Sequence, residues 1–359
     1  MSSGWPTASV LATFLAACTG APDEGAPCGE GTVCTIAGTG QNGFDGDGRA
    51  ATETMFYFPS AVRPTPDGEI AVVDFNNMRV RVVDADGLVR TVAGSGVHAY
   101  STPGLPAVET ALENPVDVEF LDDGGFYLAA LHEARILHVD AEGMISAVAG
   151  TGDPGFAGDG GPATEAWLSE ASGIAVADGV LYVADTDNNC LRAVWPDGTI
   201  ESLAGAMEPG LADGVGGGAR FRRPQRMHAD GGYLYVADAD NHAVRRVDLA
   251  TGRVDTIAGT GQAGYDGDGG HALEASLRTP YGVVARDGVV WVADSGNHAI
   301  RRIDADGTIE TVAGTGEEGF SGDDGPPLDA RFAFPTDVAL DGDDLLVADF
   351  KNGAVRRIR

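Results

Sequence analysis

The string CTIAG ends at Gly38, and RTVAG, SAVAG, ESLAG, DTIAG and ETVAG end at Gly94, Gly150, Gly205, Gly259 and Gly314, so one phrase returns at intervals of 56, 56, 55, 54 and 55 residues. The length of 359 residues would by itself allow two or three domains. A period this regular removes that option. It restricts the chain to a repeat architecture, in which each unit hides its apolar face against the next.

Four short runs rich in β-branched and apolar residues fill one period. In the third unit they are residues 171–177, 180–186, 190–196 and 199–205, separated by Asp178-Gly179, Asp187-Asn188-Asn189 and Asp197-Gly198. Connections this short join antiparallel neighbours, because parallel strands need a long crossover. Glycine, at 53 copies, is about twice its usual share, as many tight turns require. Four strands per unit around an axis make a β-propeller blade. The last unit supplies strands at 335–340, 344–349 and 354–358 and stops without a fourth, while residues 32–38 are a fourth strand without a blade. Pairing them predicts an all-β, six-bladed β-propeller of four-stranded antiparallel blades, closed by the N-terminal strand, with no open sheet edge.

The phrases GIAVADGVLYVADTDNNCLRAVWPDGTIESLAGA (173–206) and GVVARDGVVWVADSGNHAIRRIDADGTIETVAGTG (282–316) strongly resemble NHL-repeat propellers. The resemblance runs over residues 32–359 and implies the fold. For function it implies little, since such propellers include protein-interaction and RNA-binding modules, extracellular sensors and a few lyases or lactone hydrolases. The net charge of −31 and pI near 4.3 speak against nucleic acid, because phosphate binding needs concentrated basic surface.

Residues 8–17 (ASVLATFLAA) form an apolar run too short to span a bilayer and suited to a signal peptide, followed by Cys18. Leu15-Ala16-Ala17-Cys18 resembles the lipobox of bacterial lipoproteins, although no Lys or Arg precedes the apolar run. The expectation is a signal peptide over 1–17, lipidation of Cys18, a linker over 18–31 and a propeller over 32–359, the chain resembling bacterial NHL-repeat lipoproteins of the cell envelope that face the periplasm or exterior. In an oxidising compartment Cys28 and Cys34 either close a disulfide that staples the seam or remain two thiols in a local turn. Cys190 stands where other repeats carry Ala or Met, which predicts a buried thiol.

The repeat also filters motifs, since a residue present in nearly every blade builds the blade. GxGxxG occurs at Gly38, Gly150, Gly259 and Gly314 without the helix and parallel strand of a dinucleotide site. The loops GFAGDGG (155–161), GYDGDGG (264–270) and GFSGDDG (319–325) are alike, and counted from Asp266 the fifth and twelfth positions of a calcium loop fall on Gly270 and Leu277, which supply no ligand. They are expected to be structural, with the aromatic packed beneath and Asp159, Asp268 or Asp323 accepting backbone N–H bonds in an Asx turn. Asp-x-x-Asn, as in Asp185/Asn188, marks the turn between second and third strands in five blades and is expected to bond turn amides. Of the recurring pairs Arg245-Arg246, Arg301-Arg302 and Arg356-Arg357, one member is expected to pair with acids and the other to be solvated.

What remains is the exceptions. Blade 2 has Leu131-His132-Glu133 instead of Asp-x-x-Asn, and its connecting loop brings His98 and Tyr100. The first axial position of the inner strand is Gly173 or Gly282 in two blades but Asp117, Arg226 and Asp337 in others, and two residues on stand Arg63, Glu119 and His228. The candidate ligand-binding residues at the channel mouth are therefore Arg63, His98, Asp117, Glu119, His132, Arg226, His228 and Asp337. With no catalytic triad in view, the reading is a monomeric, lipid-anchored, non-catalytic scaffold that binds a protein, peptide or glycan through its loop-rich face, with no cofactor. The alternative is a lactonase-like, metal-dependent hydrolase or lyase, with calcium or zinc held by these histidines and acids.

Overall fold

The computed structural model describes residues 28–359, so the signal segment and Cys18 lie outside the described residues. Six antiparallel sheets stand around one axis. Blade 3 shows the unit: an inner strand Ala171–Ala177, then Val180–Asp185, Cys190–Val194 and an outer strand Thr199–Gly205. The last blade has the inner strand Pro335–Asp341, then Asp344–Asp349 and Ala354–Ile358, and its outer strand is Val33–Ala37 from the opposite end of the chain. Val33 pairs with Ile358 and Cys34 with Arg357, which closes the ring. Cys28 is joined to Cys34 with Cα atoms 5.7 Å apart, directly at this seam. Among the described residues no helix is long and apolar enough to cross a membrane.

The core lies between blades. Val73 and Val80 of blade 1, for example, pack with Val118, Leu128 and Leu137 of blade 2, all fully buried. Inner strands approach closely: a Cβ on Gly173 would stand 2.4 Å from the Gln225 carbonyl oxygen, and one on Gly282 2.7 Å from the Asp337 Cα. Glycine at those two axial positions is therefore a condition of closure.

Each glycine-rich connector lies along the outer edge of the blade it leads into. Gly160 N–H donates to Ile200 O at 2.8 Å and Gly269 N–H to Ile309 O at 2.8 Å, and Gly161–Pro162 adds a short fifth strand to blade 3. This covers edges that would otherwise offer free amides. The loop acids do not form the expected Asx turns. Asp159, Asp268 and Asp323 instead accept from Arg192 (2.5 Å), Arg301 (2.7 Å) and Arg356 (2.7 Å), which are wholly buried on the third strand. The loop aromatics also differ from expectation: Phe156, Tyr265 and Phe320 lie over those same guanidiniums at 5.0, 5.3 and 5.2 Å rather than beneath the loop. A buried guanidinium has five donors to satisfy and takes the loop carboxylate as well as the aspartate of its own blade, which overrides the local turn.

The Asp-x-x-Asn turns complete that network. Asp185 accepts the Ser169 N–H at 2.7 Å and the Asn188 amide at 2.9 Å, and stands 3.3 Å from Arg192, while Asn188 also donates to Gly155 O of the connector at 2.7 Å. Burial pushes this carboxyl up to about 6, against the hydrogen bonds and the arginine. Of the second arginines, Arg302 and Arg357 pair with Asp304 and Asp341 rather than standing free. Cys190 is fully buried, and burial raises its thiol pKa.

Candidate functional site

All six inner strands run the same way, so their first residues gather at the loop-rich end of the axis and their last residues at the other. Three residues before the first axial position of each inner strand stands a non-glycine residue in the left-handed region: Phe58 (φ 58°), Asn114 (49°), Glu170 (48°), Arg223 (50°), Thr279 (48°) and Phe334 (57°). Side chains at such φ are strained by about 1 kcal/mol each.

Three of these residues, Glu170, Arg223 and Phe334, line a cup of about 190 Å³ together with Phe75, Thr186 and Phe350, which follow the Asp of their Asp-x-x-Asn turns. One side is aromatic: Phe75, Tyr281, Phe334 and Phe350 line it, and Phe58 stacks behind Phe350 at 4.8 Å. The other side is polar. Arg223 bonds Glu170 at 2.7 Å and also pairs with Asp187.

The floor is an ionic plug built from four of the residues that break the repeat. Arg226, 2% exposed, donates across the axis to Ser60 O (2.6 Å) and Val116 O (2.5 Å). Its Nε lies 3.8 Å from Asp117 and 3.6 Å from Asp337. Arg63 reaches Asp117 at 3.0 Å and also pairs with Asp337. Each aspartate in turn accepts an amide of the following blade, Asp117 from Ile174 N–H (3.1 Å) and Asp337 from Val62 N–H (3.0 Å). Burial works against the Arg63 charge, but Asp337, Asp117 and Glu119 outweigh it and raise its pKa. Burial also raises the Asp117 carboxyl, and Arg63 and Arg226 oppose the shift. Two guanidiniums and two carboxylates thus close the channel with near-balanced charge.

Glu119 and His228 lie beyond the plug, in a separate cavity of about 300 Å³ at the end opposite the connectors, which corrects their expected place on the loop-rich face. A two-residue step along an inner strand moves a side chain one layer down the axis, so Asp117 and Glu119 serve different compartments. Burial pushes the Glu119 carboxyl up to about 7, eased by Arg63, and burial together with Arg63 lowers the His228 imidazole to about 4. His228 Nδ1 accepts the Ala285 N–H at 3.3 Å.

His98 and His132 form a third place, on the rim of blade 2. His98 Nε2 is 2.7 Å from Glu113 and 3.0 Å from Asn114 Oδ1, and His132 Nδ1 is 2.8 Å from the same Asn114 oxygen. Tyr100 donates to His132 O at 3.3 Å, and Glu133, fully buried, takes Ser101 and Arg135 instead of the missing network. The eight candidate residues are thus divided among a floor, a far cavity and a rim. Among the described residues no three His, Cys, Asp or Glu side chains are grouped to hold one metal ion.

The cup wall is what sequence reasoning missed. Part of its signal stands three residues before the first axial position, where aligned repeats read Phe58, Asn114, Glu170, Arg223, Thr279 and Phe334 with no chemistry common to all six blades, and Glu170, Arg223 and Phe334 of these line the cup.

Comparisons with known proteins bear on the repeat itself. Residues 168–193 match the NHL repeat and residues 224–321 the teneurin NHL domain. With these matches laid on six closed blades, the assignment follows. The chain is an NHL-repeat β-propeller. Human NHL repeat-containing protein 2 is 32% identical over 203 residues, which are 50% of this chain and 28% of that protein, so the propeller spans about a quarter of the relative's length. Among solved structures, an auxiliary nutrient binding protein from Bacteroides thetaiotaomicron (TM-score 0.67, 15% identity) covers 91% of this chain and 76% of its own. Its counterpart from Bacteroides ovatus (TM-score 0.66, 18% identity) covers the same shares of 91% and 76%. At these identities the structural likeness is one of fold.

Proposed function

We propose that this propeller is a non-catalytic binding scaffold, lipid-anchored outside the cytoplasm of a bacterial cell, that takes a protein, peptide or glycan group into the cup at its loop-rich end. The carrying observation is the cup: Phe75, Tyr281, Phe334 and Phe350 stand half-buried around a cavity of about 190 Å³ on a sealed ionic floor. Aromatic surface held open at the end of a rigid ring is the usual make-up of a preformed ligand site. The nutrient-binding descriptions of the two Bacteroides neighbours support the same reading. The Leu15-Ala16-Ala17-Cys18 sequence supports the anchor.

Native mass spectrometry of the full-length protein released from its own envelope tests the cup. A bound mass is expected on the wild type and lost from Phe350→Ala; wild type and variant emerging equally bare refutes it. The anchor is tested apart from this, by fractionation of Cys18→Ser. Release to the soluble fraction is expected, and retention in the membrane refutes it.

A further inference from the structure

We infer that the group bound in the cup is an uncharged aromatic ring bearing a hydrogen-bonding substituent, as the phenol of a tyrosine side chain does, and not a sugar. This rests on the cup being the binding site. It follows from what the wall leaves unspent. Ser60 Oγ donates to Val116 O at 2.9 Å, Thr186 Oγ1 to Pro224 O at 2.6 Å and Thr336 Oγ1 to Ser60 O at 2.9 Å. A sugar presents hydroxyls around its whole edge and needs both donors and acceptors there, and these three hydroxyls, their protons already donated, keep only acceptor capacity.

Two polar groups of the wall have no protein partner among the described residues. The Gln225 side chain is 5% exposed and lines the cup near its floor, and the Tyr281 hydroxyl belongs to the aromatic wall. An amide that faces the cup with no protein partner is free to bond a group brought in from outside the chain. Gln225 offers both a donor and an acceptor, so one hydroxyl or N–H on the ligand satisfies it.

The rings are set for another ring. Tyr281 meets Phe334 edge-on at 5.5 Å and 66°, Phe334 meets Phe350 at 6.5 Å and 60°, and Phe75 meets Phe350 at 6.2 Å and 53°. Successive tilted contacts of this kind continue naturally onto a further aromatic face or edge. The two guanidiniums that line the cup are already answered, Arg223 by Glu170 and Asp187 and Arg226 by Asp117 and Asp337, so no free cation awaits a ligand carboxylate and an uncharged ring is favoured.

The test uses the full chain and three probes, N-acetyltyrosinamide, N-acetyltyrosine and methyl glucoside, in ligand-observed NMR titrations up to ~10 mM. Binding is expected in the order tyrosinamide, then the carboxylate, with no response from the glucoside. Phe350→Ala and Gln225→Leu are each expected to weaken the tyrosinamide about tenfold. Should Phe350→Ala fail to fold, Gln225→Leu alone carries the comparison, since it keeps the volume and removes only the amide. Glucoside binding that Gln225→Leu weakens, with no tyrosinamide binding, overturns the ring and leaves the cup standing. No binding of the tyrosinamide to wild type, or binding untouched by both variants, overturns the ring as well, and native mass spectrometry then decides the cup on its own.

Discussion

Arg245 Nη1 lies 2.9 Å from Asp238 Oδ2 with both side chains wholly buried, and Arg245 Nη2 holds Asp213 of the connector at 2.9 Å. The equivalent pair recurs as Arg81/Asp74, Arg192/Asp185, Arg301/Asp294 and Arg356/Asp349. Blade 2 alone places Leu137 and Ala130 there, both fully buried. One fold thus contains both solutions, ionic and apolar, at one position of the repeat.

Removing one member of the pair strands the other, so Arg245→Leu is expected to cost about 3–5 kcal/mol. The double variant Asp238→Ala with Arg245→Leu reproduces the blade 2 arrangement and is expected to recover part of that loss. Urea unfolding of both measures it; a double variant less stable than Arg245→Leu would contradict the account.

At the floor, Asp337→Asn keeps the shape and removes one carboxylate from beside Arg63 and Arg226. A loss of about 3 kcal/mol is expected, because two buried guanidiniums then share Asp117. The same change lowers the Glu119 pKa, since Asp337 is among the charges that raise it. A ¹³C titration of the Glu119 carboxyl reads this directly, and an unmoved midpoint would separate the two compartments electrostatically.

Glu119 in the folded chain titrates near pH 7 against a usual value of 4.5, with burial the main cause. The folded state therefore binds this proton more tightly than the unfolded chain. Its contribution is complete below pH 4.5 and is lost as pH rises through 7. Glu119→Gln fixes the neutral form, so it should melt with the wild type near pH 4.5 and about 2 °C above it at pH 8. Equal melting temperatures at both pH values would show that the carboxyl is not perturbed.

Thr279 holds a β-branched side chain at φ 48°, where its hydroxyl has no partner among the described residues. Thr279→Gly relieves that strain and keeps the N–H that donates to His242 Nδ1, so a gain of about 0.5–1 kcal/mol is expected. Phe334→Gly relieves similar strain but loses the rings of Tyr281 and Phe350 and is not expected to stabilise. Chemical denaturation of the two side by side distinguishes backbone strain from wall packing.

The blade, its four strands and the closure by Val33–Ala37 were all legible in the sequence, because strand alternation and turn residues act within a few positions and the repeat prints them six times. Arg63, Asp117, Arg226 and Asp337 were legible as departures from that repeat. Their union in one plug, and the removal of Glu119 and His228 to the far end, were decided by the register of inner strands about 55 residues apart. The role of the GDGG loops was likewise tertiary. Their aspartates answer to arginines buried in the blade that follows, a demand no local turn preference expresses. The cup was least legible of all, since Tyr281 meets Phe334 and Phe350 across two blades and Phe75 joins them only when the last blade meets the first. Sequence determines what each blade presents to the axis; ring closure alone brings those side chains within reach of one ligand.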